Sequence, residues 1–300
     1  MFKRILFITA AILILILLWQ AFRTFQSSPT NVLSNIFNID FISTISSQVT
    51  SGLSSSNSSR PAQVDIDELG EFSPVAGLVE ITKAEESMQV NDINYEYIEI
   101  RAKADNAQPI NISNWSLQSM VSDVWIGIPQ GTELFVIGEV NTLQDIYLRP
   151  GERAIIATRQ SPVGVSFRVN RCSGFLNNTQ DFEPPMNTLC IAPRDLVPPT
   201  IDNLKLYGDS CVDFVDGIRR CTYVTGNEEG FELLSQTCRD RIQTRLTYNY
   251  CTNAHMNDSD FYQEQEWRIF LNQNTPLWRE KYEIIRLLDE QHRTIDVISY

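Results

Sequence analysis

Few groups in this chain are able to do chemistry. There are two histidines, His255 and His292, six cysteines, and carboxylates gathered near residues 209–216 and 255–258. His255 stands in Asn253-Ala254-His255-Met256-Asn257-Asp258, where it could ligate a metal or work with Asp258 as a general base. No second histidine lies nearby, and a polar loop histidine is the simpler reading. Asp209, Asp213 and Asp216 surround Cys211 in GDSCVDFVDG. Calcium would require roughly six to eight oxygen ligands, and the spacing matches no EF-hand, so solvated charges explain them as well. Trp115, Trp125, Trp267 and Trp278 could stack on sugars, although core packing accounts for most tryptophans in β-sandwiches. Trp125 is the one whose exposure matters. No GxSxG, HExxH or P-loop pattern occurs. The expectation is a non-enzymatic protein with no cofactor and no metal.

Cys172, Cys190, Cys211, Cys221, Cys238 and Cys251 form an even set confined to the later part of the chain. That distribution fits disulfides, which persist outside the reducing cytosol. Six cysteines allow about fifteen connectivities. Nearest-neighbour pairing (172–190, 211–221, 238–251) is expected because each pair brackets a short loop. Zinc would call for CxxC-type spacing, which is absent.

These groups must be positioned by a chain of 300 residues, 43% hydrophobic, ample for a packed core. The formal net charge of -13 disfavours nucleic acid, whose binding demands clustered Lys and Arg. Lys3 and Arg4 precede an apolar run over residues 5–22, close to the ~20 residues of a membrane-spanning helix. Positive charge before the run predicts a cytoplasmic tip (1–4) and an exported remainder. The run ends in Leu17-Leu18-Trp19-Gln20-Ala21-Phe22, bulky where a cleavable signal needs small residues, so an uncleaved signal anchor is expected. A flexible Ser-rich stalk follows over 23–71.

From Val75 onward short strand patterns alternate with turn signals. Residues 78–81 read as an opening strand. In residues 96–100 Tyr97 and Glu99 share one face while Ile98 and Ile100 share the other. Residues 110–117 give the next strand, with Trp115 as a core anchor. Further strands are expected at 124–128, 134–137, 146–148 and 153–158, with a Pro-Gly turn at Pro150-Gly151. Two hairpin signals stand out, at residues 95–117 and 282–300. They suggest one β-domain that opens near Tyr95 and is completed by the last strand, with something inserted between.

The ordered pieces at residues 96–100, 111–117, 128–132, 148–156 and 283–300 resemble a lamin tail domain, in the form found in exported bacterial proteins. That family shows an EYIEL-type strand, a DLSGW-like strand, an IPxGT turn, an LxPGE turn, and a closing LLDxxGxxVD-type hairpin. Residues 167–176 and 248–251 are similar to lamin-tail proteins predicted from candidate-phyla bacteria. Asn114 and the pair Gln291-His292 stand where the family prefers glycine.

The resemblance implies an all-β, immunoglobulin-like sandwich over 72–170 plus 279–300. A disulfide-braced α+β insertion over 171–278 would interrupt it, and one transmembrane helix would precede it. A helix over 230–246, with Leu233, Leu234, Cys238 and Ile242 on one face, is expected inside the insertion. Trp267, Phe270 and Trp278 should pack it on the sandwich. The expected function is a membrane-anchored extracytoplasmic surface protein whose module binds a protein or glycan or serves envelope architecture. The alternative is an exported hydrolase, or an accessory module of one, using Asp213, Asp216, His255 and Asp258. Convergence of three of those groups within ligand distance would defeat the binding reading, and their dispersal with no shared cleft would defeat the hydrolase.

Overall fold

The computed structural model describes residues 64–83 and 92–300. The expected cytoplasmic tip, the membrane segment 5–22 and residues 23–63 of the stalk lie outside the described residues. Among the described residues no helix is long and apolar enough to cross a membrane.

The strands are β1 (Val79–Lys83), β2 (Tyr97–Ala102), β3 (Ile110–Asn111), β4 (Ser116–Ser119), β5 (Trp125–Gly127) and β6 (Tyr147–Leu148). They continue with β7 (Arg153–Arg159), β8 (Phe167–Arg168), β9 (Glu266–Gln273), β10 (Ile284–Leu288) and β11 (Thr294–Ser299). Between β8 and β9 lie the helices α1 (Ile201–Tyr207), α2 (Asp209–Gly217), α3 (Gln236–Arg245) and α4 (Tyr248–His255). The expectation of an all-β chain is therefore corrected to a mixed one.

One sheet has the order β1-β2-β7-β9-β8 and a second β11-β10-β4-β5, while β3 pairs with β6. β7 and β9 run parallel. Parallel neighbours need a long connection, and residues 160–265, which carry β8 and all four helices, supply it.

The inner strands of the five-stranded sheet are covered on both faces, while Glu80 and Thr82 of edge strand β1 are exposed. Ile98 and Ile100 of β2, Ala154 and Ile156 of β7, and Ile269 and Leu271 of β9 face the second sheet. There they join Leu117 of β4, Ile285 and Leu287 of β10, and Ile295 of β11 in one core. The alternate residues Tyr97, Ile155, Ala157 and Phe270 face a second core built by the helical segment. Strands covered on both sides become continuous apolar runs, and β7 is buried from Ala154 through Thr158.

Several expectations change. The signal at 95–117 is not a hairpin: β2 pairs with β1 and β7, whereas β4 pairs with β10 and β5. The chain crosses between sheets there. Residues 110–117 split into β3 and β4 because the Asn111 side chain accepts the N–H of Ser113 and Asn114 turns to φ 66°. Residues 134–137 form no strand, since the N–H groups of Val136 and Ile137 are taken by the side chains of Asn141 and Asn249. The expected helix 230–246 is interrupted. Ser235 caps α3 by accepting the N–H of Cys238 at 3.2 Å, and Leu233 before it is 79% exposed.

The expected insertion ends too late, because β9 falls within 171–278 yet pairs with β7 and β8 inside the sheet. Its Trp267 belongs to the sandwich core while Phe270 faces the helical side. Between β8 and β9 the chain has helices and no strand, so this part is helical rather than α+β. The folded unit also starts before residue 72. Leu69 is fully buried, its carbonyl accepts from Arg286 at 2.6 Å, and the backbone of Ser73 and Glu71 pairs with Thr294.

The closing hairpin does form, with β10 pairing β11 in antiparallel register. His292 adopts φ 61° in its turn, left-handed like Asn114, whereas Gln291 beside it is not.

Candidate functional site

The helical segment is assembled by three disulfides: Cys172–Cys251, Cys190–Cys221 and Cys211–Cys238. Nearest-neighbour pairing is thus corrected at every bond. Short loops do not decide the pairing: Cys211–Cys238 joins two helices, Cys172–Cys251 ties the turn Ser173–Asn178 to α4, and Cys190–Cys221 links two segments outside the helices. Cys211 and Cys238 lie on the buried faces of α2 and α3, and Cys221 reaches back onto the turn Ser173–Asn178. Gly174 makes that approach possible, since a Cβ there would lie 2.5 Å from the Cys221 sulfur. Local caps set the helix starts: Ser235 for α3, and Thr247, which accepts the N–H of Tyr250 at 3.3 Å, for α4. Tyr248 then pins α4 to the rest of the fold. Its hydroxyl donates to the Phe135 carbonyl at 3.0 Å and accepts from Asn170 at 3.1 Å, and burial pushes the phenol up to about 12.

Against this frame lies a cavity of about 310 Å³. Phe175, Ile191, Leu196 and Leu246 make its apolar walls, and Cys251 ties one wall to Cys172. Its polar lining comes from Arg241 and Arg245 of α3, Tyr250 and His255 of α4, and Asp195 at an exposed position. Arg245 lies over the Tyr250 ring, 4.3 Å from its centroid. Arg241 donates weakly to the Leu196 carbonyl at 3.4 Å, and its Nε is closed from solvent with no hydrogen-bond partner. The arrangement is a preformed apolar recess with two cations in its wall.

Of the four residues named for a hydrolase, only His255 and Asp258 meet, with Nδ1 and Oδ2 2.7 Å apart. Asp258 also lies 3.5 Å from Arg171, which binds Asp260 at 3.0 Å. Asp213 and Asp216 sit exposed on α2, on a helix rather than a cation-wrapping loop, and do not line the cavity. The four residues named for a hydrolase therefore share no cleft. Among the described residues no group of three or more His, Cys, Asp or Glu could hold a metal ion. Trp125 is 43% exposed on edge strand β5. Its Nε1 donates to Asp123 at 3.2 Å, and its ring meets His292 edge-on at 5.1 Å between centroids.

Other charged clusters are built into the scaffold. Arg168 is buried against Glu152 at 2.7 Å, reaches Glu133 at 2.7 Å, and lies over the Tyr262 ring. On the helical face of the large sheet, Glu99, Arg153, Glu266 and Arg268 form an ion ladder across β2, β7 and β9. Arg268 also donates to the Pro184 carbonyl at 2.5 Å.

The sequence reading passed over Arg241, Arg245 and Tyr250. A usable signal was present. Like charges at i and i+4 weaken a helix, so Arg241 and Arg245 flanking Ile242 suggest a requirement beyond helix formation. Comparison with protein-family models, curated proteins and solved structures returned no match to this chain.

Proposed function

We propose that this chain is an extracytoplasmic binding protein whose ligand enters the recess between α3, α4 and residues 191–196. The carrying observation is the recess itself: a preformed apolar cavity with few polar groups, which is how ligand sites are commonly built. Its walls are held by covalent bonds, so little ordering is left for the ligand to impose. The three disulfides support a place outside the reducing cytosol. The apolar run at residues 5–22 after Lys3 and Arg4 supports attachment to the membrane with the folded part exported. The motif order shared with lamin tail domains supports descent of the sandwich from that family, with the helical segment as the part particular to this protein.

The test has two parts. Ligand-detected screening of a small-molecule library should yield compounds that bind the wild type and are lost when Ala192→Phe fills the recess. Hits indifferent to filling, or none, would refute the binding reading. Non-reduced peptide mapping of protein from the membrane fraction should return the three linked pairs; free thiols at these positions would refute export.

A further inference from the structure

We propose that the recess binds a carboxylate carried on an apolar group the size of one large side chain. The proposal rests on the binding reading above and adds the chemical class of the ligand. Its first support is a surplus of positive charge where none is needed. The chain has 37 acidic residues against 24 Lys and Arg, so partners for arginines are plentiful. Yet among the described residues neither Arg241 nor Arg245 has a carboxylate within ion-pair distance; other arginines without one are either exposed, as Arg194, Arg219, Arg220 and Arg279 are, or bonded to carbonyl oxygens, as Arg159, Arg239 and Arg286 are, whereas Arg241 makes only a 3.4 Å bond to the Leu196 carbonyl. Arg245 gains from the helix dipole in the last turn of α3; Arg241, a turn earlier, has no such compensation.

The second support is orientation. Arg245 spends one face of its guanidinium on the Tyr250 ring, which leaves its in-plane N–H groups for an acceptor. Arg241 has a buried Nε–H without a partner. A planar carboxylate accepts from such forks through two oxygens, and a buried charge-assisted pair is stronger than a neutral one. The third support is the lining. Phe175, Ile191, Leu196 and Leu246 would cover an aromatic or branched aliphatic group, and a cavity of about 310 Å³ is at the small end of ligand sites. Asp195 also borders the recess, but it sits at an exposed position where solvent screens its repulsion. The ligand chemistry has two sources, a free organic acid or the carboxyl terminus of a polypeptide.

The experiment uses the full-length, disulfide-intact chain and two matched probes, hydrocinnamate and its neutral amide. Binding is followed by calorimetry and by the NMR signal of the Arg241 Nε–H group. The acid should bind at least about tenfold tighter than the amide and shift that signal. Arg241→Gln and Arg245→Gln should each weaken the acid about tenfold, and Arg219→Gln, at an exposed position elsewhere, should not. Equal binding of acid and amide, abolished by Ala192→Phe, would overturn the carboxylate proposal and leave the binding reading standing. Binding of neither probe would overturn the proposal, and the library screen then decides the binding reading separately. If an arginine variant fails to melt cooperatively, the acid-to-amide ratio in the wild type decides alone. Acetyl-Ala-Ala-Phe with a free carboxyl supplies the last arm. Tighter binding than hydrocinnamate supports the proposal with chain termini as the source, and weaker binding supports it with free acids.

Discussion

Asp296 joins the edges of the two sheets, and its replacement should make the protein more stable at neutral pH. Its Oδ2 accepts the N–H of Ile81 at 2.6 Å, so a side chain of β11 holds β1. Burial pushes the carboxyl from 3.8 up to about 6, Glu80 adds repulsion, and the N–H groups of Ile81 and Val297 with Lys103 pull in the opposite direction. A gap of about two pH units corresponds to about 3 kcal/mol. The sign follows from linkage: the folded state holds this proton more tightly than the unfolded chain does. The stabilisation is complete below the unfolded value near 3.8, declines as pH rises, and is lost above about 6. Asp296→Asn keeps an oxygen to accept from Ile81 and carries no charge at any pH. Relative to wild type, the variant should be unchanged near pH ~4 and gain about 2–3 kcal/mol near pH ~8. Urea melts of oxidised protein across that range measure the difference. A difference independent of pH would refute the burial argument. A gain confined to low pH would mean that the ionised carboxylate's bond to Ile81 outweighs its desolvation.

Removing residues 289–300 should abolish cooperative melting followed by circular dichroism, because it deletes β11, the fully buried Ile295 and Thr294, which bonds both Leu69 and Ser73. Of the three disulfides, Cys172–Cys251 spans 79 residues, against 31 and 27 for the others. Chain-entropy reasoning assigns it about 4.5 kcal/mol and the others about 3.6, so paired replacement by alanine should lower the urea midpoint most at 172/251; a smaller loss there than at 211/238 would contradict this. Gly174→Ala would drive a methyl into the Asn187 carbonyl and the Cys221 sulfur. Thiol counting should then find two free cysteines, and an intact third disulfide at wild-type stability would show that the contact relaxes.

Faces proved easier to read than partners. The alternation in 96–100 assigned Tyr97 and Ile98 to opposite sides, and they enter separate cores. Alternation says nothing about which strand lies alongside, so the crossing of residues 103–115 from one sheet to the other passed for a hairpin. Parallel pairing of β7 and β9 was hidden for the same reason: more than a hundred residues separate them in sequence, and no local signal spans that distance. The left-handed backbone at Asn114 was compatible with its residue type, since asparagine tolerates positive φ, but nothing local marked Asp123, Cys221, Gln265, Asn272 or Tyr282. Disulfide pairing was not legible, because it joins segments brought together only by the tertiary fold, up to 79 residues apart. The recess eluded the sequence reading since its arginines look like solvated charges until α3 packs beside α4.

Strand β7 is a wall common to two cores, and hydrophobicity alone cannot fix its alignment. Slide it by one residue against β9, and Ile155 and Ile156 exchange sides with the same apolar volume delivered to each core. Ordinarily such a slip turns a strand's apolar set towards water; here there is no water on either side. What distinguishes the alignments is charge. In the observed register Arg153 stands beside Glu266 and Ile155 beside Arg268. A one-residue slip would carry the Arg153 guanidinium towards Trp267 and the sandwich, away from its carboxylates. The ion ladder on the helical face is therefore what a slipped alignment of equal apolar content would lose, since it would part Arg153 from Glu99 and Glu266.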